Sequence, residues 1–327
     1  MIVGDLAITL NLMSVAVLAF ILCIVFISIL AKLFIPKLDN ITFTVRKFFF
    51  WLLITAPWWV ASICIALFWP RQNNGVYFSW FDEFAHWHHI DIFNFFSWHA
   101  ATLIFACLFV FGVGISVLYR KRKQSASLSN LLDFAQNNTE NQVQSDCDFL
   151  TLSVPNPIAF TIGFLSPKIY ISTGLQKQVS EQELAIILKH EAAHVVARDP
   201  LFKVVFSVFA GFFPSNIKRQ LLEKYTLLTE QLADSKVASE YDNLDVAQTL
   251  INVARMQRSI SNHHIGASIS YFGFDQTNTR VQSLISPMIS TPRILLLTAT
   301  LLIIVMPLFT ASTVDSLHHF IETIFTH

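Results

Sequence analysis

The chain has 327 residues, of which 54% are hydrophobic and 13% charged, with 22 basic and 22 acidic side chains. A soluble domain of ordinary composition carries about 25% charged residues, so a purely soluble enzyme is excluded, and zero net charge gives no sign of a nucleic-acid partner. Cys23, Cys64 and Cys107 lie in apolar stretches and Cys147 stands alone in the polar middle, which excludes a disulfide scaffold and reads as small buried side chains.

Four stretches hold no Asp, Glu, Lys or Arg: Leu6–Ala31, Phe48–Pro70, Ile92–Tyr119 and Ile294–Val314. A helix needs roughly 20 apolar residues to cross the hydrocarbon core, so four transmembrane helices are predicted, at about 6–31, 48–69, 95–119 and 293–314. The N-terminus lacks the basic start and small-residue cleavage site of a signal peptide, so the first stretch is expected to remain as an anchor. Loop charge orients the spans. Lys32, Lys37, Arg46 and Lys47 follow the first, and Arg120, Lys121, Arg122 and Lys123 follow the third. The loop at 70–91 is acidic instead, with Asp82, Glu83 and Asp91 against Arg71. These counts predict both termini outside, residues 120–292 in the cytoplasm and a short outer tail at 315–327. The outer loop also holds His86, His88 and His89 with Trp80 and Trp87. It reads either as an interfacial segment or as a sensor of metal or pH.

The middle segment, 120–292, is long enough for a core of its own. Asn130–Asp148 is rich in Gln, Asn, Ser and Asp and reads as a linker or loop. Two β-rich runs flank Gly163–Pro167 within Ile158–Ser172, the pattern of a hairpin. Ser180 with Glu183 three residues later is a capping box, so a helix starts at about Glu181. It must stop near Asp199, because Pro200 disfavours the helical state of the residue before it. Leu201–Phe213 is too short to span and is expected as a helix buried in the domain or lying against the bilayer. A further helix is expected over Leu221–Ala238. His263 and His264 have no partner at helical spacing and read as surface residues.

His190-Glu191-Ala192-Ala193-His194 falls on the helix that begins at Glu181. Residues four apart share one helix face, so both imidazoles can reach one ion, with Glu191 beside them as a general base. This is the HExxH arrangement of zinc metallopeptidases, and it calls for a third ligand that leaves a fourth position open for water. Glu230 and Asp234 are again four apart. Glu230 would be the ligand, and Asp234 would accept the second ring N–H of a ligating His. The alternative for the first set is a surface helix that holds two His and a Glu by chance, which is uncommon. Glu230 and Asp234 taken alone read as a solvated acidic face, and beside HEAAH as part of the site.

HEAAHVVARDP followed by EQLAD resembles the integral-membrane signal-transducer metallopeptidases of the BlaR/MecR type. So do the Pro157–Pro167 run, Arg280-Val281 with Leu284, and the order of three spans, a cytoplasmic zinc domain and a fourth span. The resemblance implies a mainly α membrane protein with four transmembrane helices and a cytoplasmic α+β zincin-like (gluzincin) domain containing a small sheet. It makes His190, His194 and Glu230 the zinc ligands, Glu191 the catalytic base, and Arg280 either a support for the oxyanion or the site, or a structural salt bridge. The hairpin around Phe160–Ser172 would receive substrate as an added strand, or be an ordinary core hairpin. The resemblance also implies a multi-pass protein of a bacterial cytoplasmic (inner) membrane, embedded in the lipid bilayer. Its substrate would be a peptide or protein, either a cytoplasmic repressor or the chain itself. Relatives that sense β-lactams carry a penicillin-binding domain after the fourth span, whereas this sequence stops at His327. The stimulus is therefore expected from an external partner or from the membrane helices. Two other readings stay open: a constitutive quality-control protease of membrane proteins, and a non-catalytic scaffold or sensor that keeps zinc for folding.

Overall fold

The computed structural model describes residues 1–35, 41–70, 90–136, 140–144, 147–261, 276–286 and 293–325. The acidic and histidine-rich part of the loop expected outside, from Asp82 to His89, lies outside the described residues, as do His263 and His264.

Strand β1 (Ile2–Val3) leads into α1 (Asp5–Phe34), followed by α2 (Phe43–Phe68), β2 (Ile92–Phe93) and α3 (Trp98–Gln136). Among the described residues, three helices are long and apolar enough to cross a membrane: Asp5–Ala31, Phe43–Phe68 and Trp98–Ser116. β1 pairs antiparallel with β2, which ties the start of α1 to the start of α3. Asn11 reinforces the tie by donating from Nδ2 to the carbonyls of Ile90 and Ile92.

The polar middle holds a four-stranded sheet of β3 (Glu140–Gln144), β4 (Cys147–Leu152), β5 (Ala159–Ile162) and β6 (Lys168–Ser172), in the order β3-β4-β6-β5. The expected linker at 130–148 is corrected here. Helix α3 runs on to Gln136, and β3 and β4 form an antiparallel pair. A polar run can form a strand at a sheet edge, where neither face must be apolar. The hairpin of β5 and β6 forms where the sequence puts it. Gly163 takes φ 120 at its turn, where a Cβ would meet Ser166 O at 2.5 Å, so only glycine fits. β5 is the outer strand of the sheet and lies against the helix that follows.

After a short α4 (Thr173–Gln176) come α5 (Glu181–Ala197), α6 (Asp199–Ala210), α7 (Ser215–Val237), α8 (Asn243–Ser261), α9 (Thr277–Ile285) and α10 (Arg293–Phe325). α5 begins at the capping box, with both reciprocal hydrogen bonds of Ser180 and Glu183 formed. It ends at Arg198, whose left-handed φ of 51 closes the helix onto the carbonyls of His194 and Val195. That conformation is unfavourable for a side chain with a Cβ. It lets α6 start at once, with Pro200 in the first turn, where proline is tolerated.

α6 and α7 form a helical hairpin lying along α2. Arg46 donates to Gln231, Trp51 packs edge-on against Phe206 and Tyr225, and Trp58 meets Phe209 and Phe212. At the tip, Phe212 also meets Phe20 of α1 and Phe109 of α3. The segment 201–213 therefore packs against the apolar helices themselves, and a single core joins α1, α2, α6, α7 and α10. α10 enters it through Met306, Ala311 and Val314. It continues as helix to Phe325, so residues 315–325 of the expected outer tail are helical.

Candidate metal centre

α5 and α7 pack against each other and bring their two pairs of side chains together. Nε2 of His190 and Nε2 of His194 stand 3.2 Å apart. Oε2 of Glu230 lies 3.4 Å from the first and 3.6 Å from the second. Ligands at about 2.0–2.1 Å around a tetrahedral zinc stand about 3.3 Å from one another. The three donor atoms are thus spaced to hold a metal ion, and these three residues form a metal-competent group of His and carboxylate side chains.

Each imidazole is oriented from behind. Nδ1 of His190 faces Oδ1 of Asp234 at 3.0 Å, and Nδ1 of His194 faces Oδ2 of Asp199 at 2.7 Å. With Nδ1–H donated to a carboxylate, the lone pair of Nε2 is left to face the site. Asp234 was legible from its spacing. Asp199 was not: it lies beyond the break at Arg198, on a different helix. The signal that could have found it is an acid at the start of a helix that must turn sharply away from the second histidine.

Glu191 is buried beside the first imidazole. Thr161 of β5 donates its hydroxyl to Oε2 of Glu191 at 2.7 Å, which fixes the carboxylate against the sheet edge. Arg280 of α9 donates from Nε and Nη2 to the two oxygens of Asp234, at 2.7 Å each. Its Nη1 stands 3.5 Å from Oε2 of Glu230. Lys203 of α6 donates to the other oxygen, Oε1, at 3.2 Å. Neither Thr161 nor Lys203 belongs to a local motif.

The charges of this cluster are strongly coupled. Burial opposes ionisation of Glu230, yet Lys203 and the two imidazoles hold its pKa well below the usual carboxylate range. For Asp234 burial is likewise outweighed, here by the charge and hydrogen bonds of Arg280, and its pKa is lowered. Burial also opposes both imidazolium ions. Hydrogen bonds to Asp234 and Glu230 nevertheless raise the pKa of His190, and those to Asp199 and Glu230 push His194 up to about 10. The pocket therefore stabilises positive charge beside Glu230, which protons on the imidazoles or a metal cation can supply.

Residues 141–261 match the model of Peptidase family M48. No curated protein matches the chain. The matched segment contains β4 to α8 and hence both motifs. Together with the three donor atoms and the apolar helices, the match supports a membrane-associated metallopeptidase acting on peptides or proteins.

Proposed function

We propose that the chain is a zinc metalloendopeptidase of a bacterial inner membrane, whose site faces the cytoplasm and cleaves a cytoplasmic repressor, the chain itself, or both. The observation that carries this reading is the triangle of His190 Nε2, His194 Nε2 and Glu230 Oε2, with Glu191 at its side. Two imidazoles and one carboxylate with an open position suit zinc and also non-haem iron; the HExxH spacing on one helix, with Glu191 beside the ligands, favours zinc. When bound, zinc polarises the scissile carbonyl and lowers the pKa of its water towards 7. With zinc held by His190, His194 and Glu230, Glu191 would accept a proton from the attacking water and pass it to the departing amine nitrogen. Thr161 holds the carboxylate of Glu191 in place through Oγ1. Asp199 and Asp234 keep Nδ1 of each histidine as a donor, and Arg280 keeps Asp234 ionised, so we assign Arg280 as a support for the site through that salt bridge.

β5 is the outer strand beside α5. A peptide added there as a further strand would run past Glu191 with its backbone hydrogen-bonded. The cytoplasmic placement is supported by the ends of the apolar helices. The starts of α1 and α3 and the last part of α10 gather at one end, through Asn11, His99, Trp98 and His318. The metal centre lies at the other end, where Arg46 of α2 meets Gln231. The four-span arrangement follows if α10 crosses as well.

The match to Peptidase family M48 covers the peptidase segment and no apolar span, so it fits a constitutive protease of misfolded membrane proteins equally. One experiment separates these readings. Wild type and Glu191→Gln are purified in detergent, zinc is read by elemental analysis and fragments by mass spectrometry. Each is incubated with a candidate cytoplasmic repressor and with an unfolded membrane protein. We expect about one zinc in both proteins and a single defined cut in the repressor or in the chain, by wild type only. Loss of the base should lower the rate by about 10²–10⁴-fold. Cuts confined to the unfolded protein would favour quality control. Equal cleavage by Glu191→Gln would overturn the mechanism, and zinc without any cut would favour a scaffold.

A further inference from the structure

Glu230 presents two oxygens in two different settings. Oε2 faces both imidazole Nε2 atoms, while Oε1 accepts a hydrogen bond from Nζ of Lys203 at 3.2 Å. The nearest nitrogen of Arg280 stands 3.5 Å from Oε2, beyond hydrogen-bonding length. A carboxylate can bind a metal through one oxygen or both. If both oxygens of Glu230 bound, the second would take the position that a catalytic site keeps open for water.

We propose that Lys203 is a positioning residue that keeps Glu230 binding through a single oxygen: by holding Oε1 it leaves Oε2 alone on the side of the two imidazoles. This rests on the zinc reading given above.

Three features make Lys203 suited to the task. First, it stands on α6, whose next turn is fixed. Phe206 is fully buried, stacks on Tyr225 with centroids 4.0 Å apart, and packs edge-on against Phe50 and Trp51 of α2. Second, the same helix starts with Asp199, the partner of His194. Asp199 and Lys203 are four apart and share a face, so one rigid element sets both a histidine and the carboxylate. Third, the Lys203 side chain is 33% exposed. Solvent is within its reach, so its place on Oε1 is not imposed by lack of room. The site's geometry thereby depends on how α6 is seated against α2.

The test uses the full chain in detergent, loaded with Co²⁺ in place of zinc, and compares wild type, Lys203→Met and Lys203→Arg. Four-coordinate Co²⁺ has intense d–d bands and five-coordinate Co²⁺ weak ones, so the spectrum reads the coordination number directly. X-ray absorption of the zinc form counts the oxygen and nitrogen neighbours independently. We expect a four-coordinate spectrum in wild type, a marked loss of band intensity with one added oxygen neighbour in Lys203→Met, and the wild-type spectrum restored in Lys203→Arg. Identical spectra and neighbour counts in wild type and Lys203→Met would overturn the proposal. So would two Glu230 oxygens on the metal in wild type, a result that needs no variant to fold. Wild type that takes up neither ion would instead overturn the metallopeptidase reading, and this proposal with it.

Discussion

The two ends of the helical bundle both bury polar side chains, and they do so on opposite principles. At the end where α2 begins, the candidate metal centre gathers Glu191, Asp199, Lys203, Glu230, Asp234 and Arg280 around two histidines. At the end where β1 pairs with β2, the buried groups are Asn11, Ser14 and His318, with the half-buried His99 beside them. There Ser14 Oγ stands 2.6 Å from the Asn11 carbonyl oxygen and 2.5 Å from Nδ1 of His99, within hydrogen-bonding distance of both. The Trp98 ring stacks on His99 with centroids 3.8 Å apart and lies 5.5 Å from His318. Groups that can stay neutral need only a hydrogen bond when buried, whereas full charges need opposite charges. The first end therefore has a strong local field into which a cation fits. The second reads as polar glue between helices.

The largest effect should come from breaking the charged end. Asp234 is 1% exposed and is compensated by both nitrogens that Arg280 donates. Arg280→Met leaves that carboxylate buried beside His190 alone. We expect a loss of about 3–5 kcal/mol in stability and roughly 10–100-fold in zinc affinity, measured by thermal unfolding and chelator competition. An unchanged Tm would mean that Asp234 is solvated, and the contrast between the two ends would fail.

At the neutral end the expected effect is smaller and of another kind. Ser14→Ala removes one hydrogen bond between helices, a change of about 0.6–1.7 kcal/mol in a membrane protein. The metal centre is far along the bundle, so zinc content and cleavage should match wild type in elemental analysis and fragment mapping. A changed zinc content in Ser14→Ala would show instead that the ends are coupled through α1 and α2.

The same contrast explains what the sequence makes visible. The three candidate ligands and Asp234 lie on two helices as pairs four residues apart, so His190, His194, Glu230 and Asp234 can be read from spacing once the two pairs are taken together. The capping box places the start of α5 because its two partners are three residues apart. Lys203, Asp199 and Thr161 reach the same pocket from other elements, and nothing local marks them. Asp199 is reached only through the left-handed turn at Arg198, and Thr161 only because β5 pairs with β6. The neutral cluster joins residues 11, 14, 99 and 318, and no pattern of spacing could have assembled it from the sequence. β3 escaped notice for a different reason: Glu140–Gln144 is an edge strand of polar residues and has no hydrophobic alternation to read.

The smallest effect concerns the start of α5, away from either polar cluster's centre but on the helix that carries His190 and His194. The carboxylate of Glu183 accepts from the Ser180 backbone N–H at 2.8 Å and from Nδ2 of Asn252 of α8 at 2.7 Å. These bonds, the backbone one first, lower its pKa from the ordinary 4.5. A carboxyl group whose folded pKa is depressed binds its proton more readily in the unfolded chain. Its contribution is therefore complete above about pH 4.5 and fades as the pH falls through the lower, folded value. Glu183→Gln keeps the shape of the capping box, since glutamine can fill the same position, but removes the charge from the helix N-terminus. We expect wild type to exceed Glu183→Gln by about 0.3–1 kcal/mol near neutral pH. The gap should close as acid protonates Glu183, read as Tm against pH for both proteins in the same detergent. A gap that stayed constant down the acid limb would mean that the carboxylate's charge contributes nothing there, and that the start of α5 is held by the neutral hydrogen bonds of its cap alone.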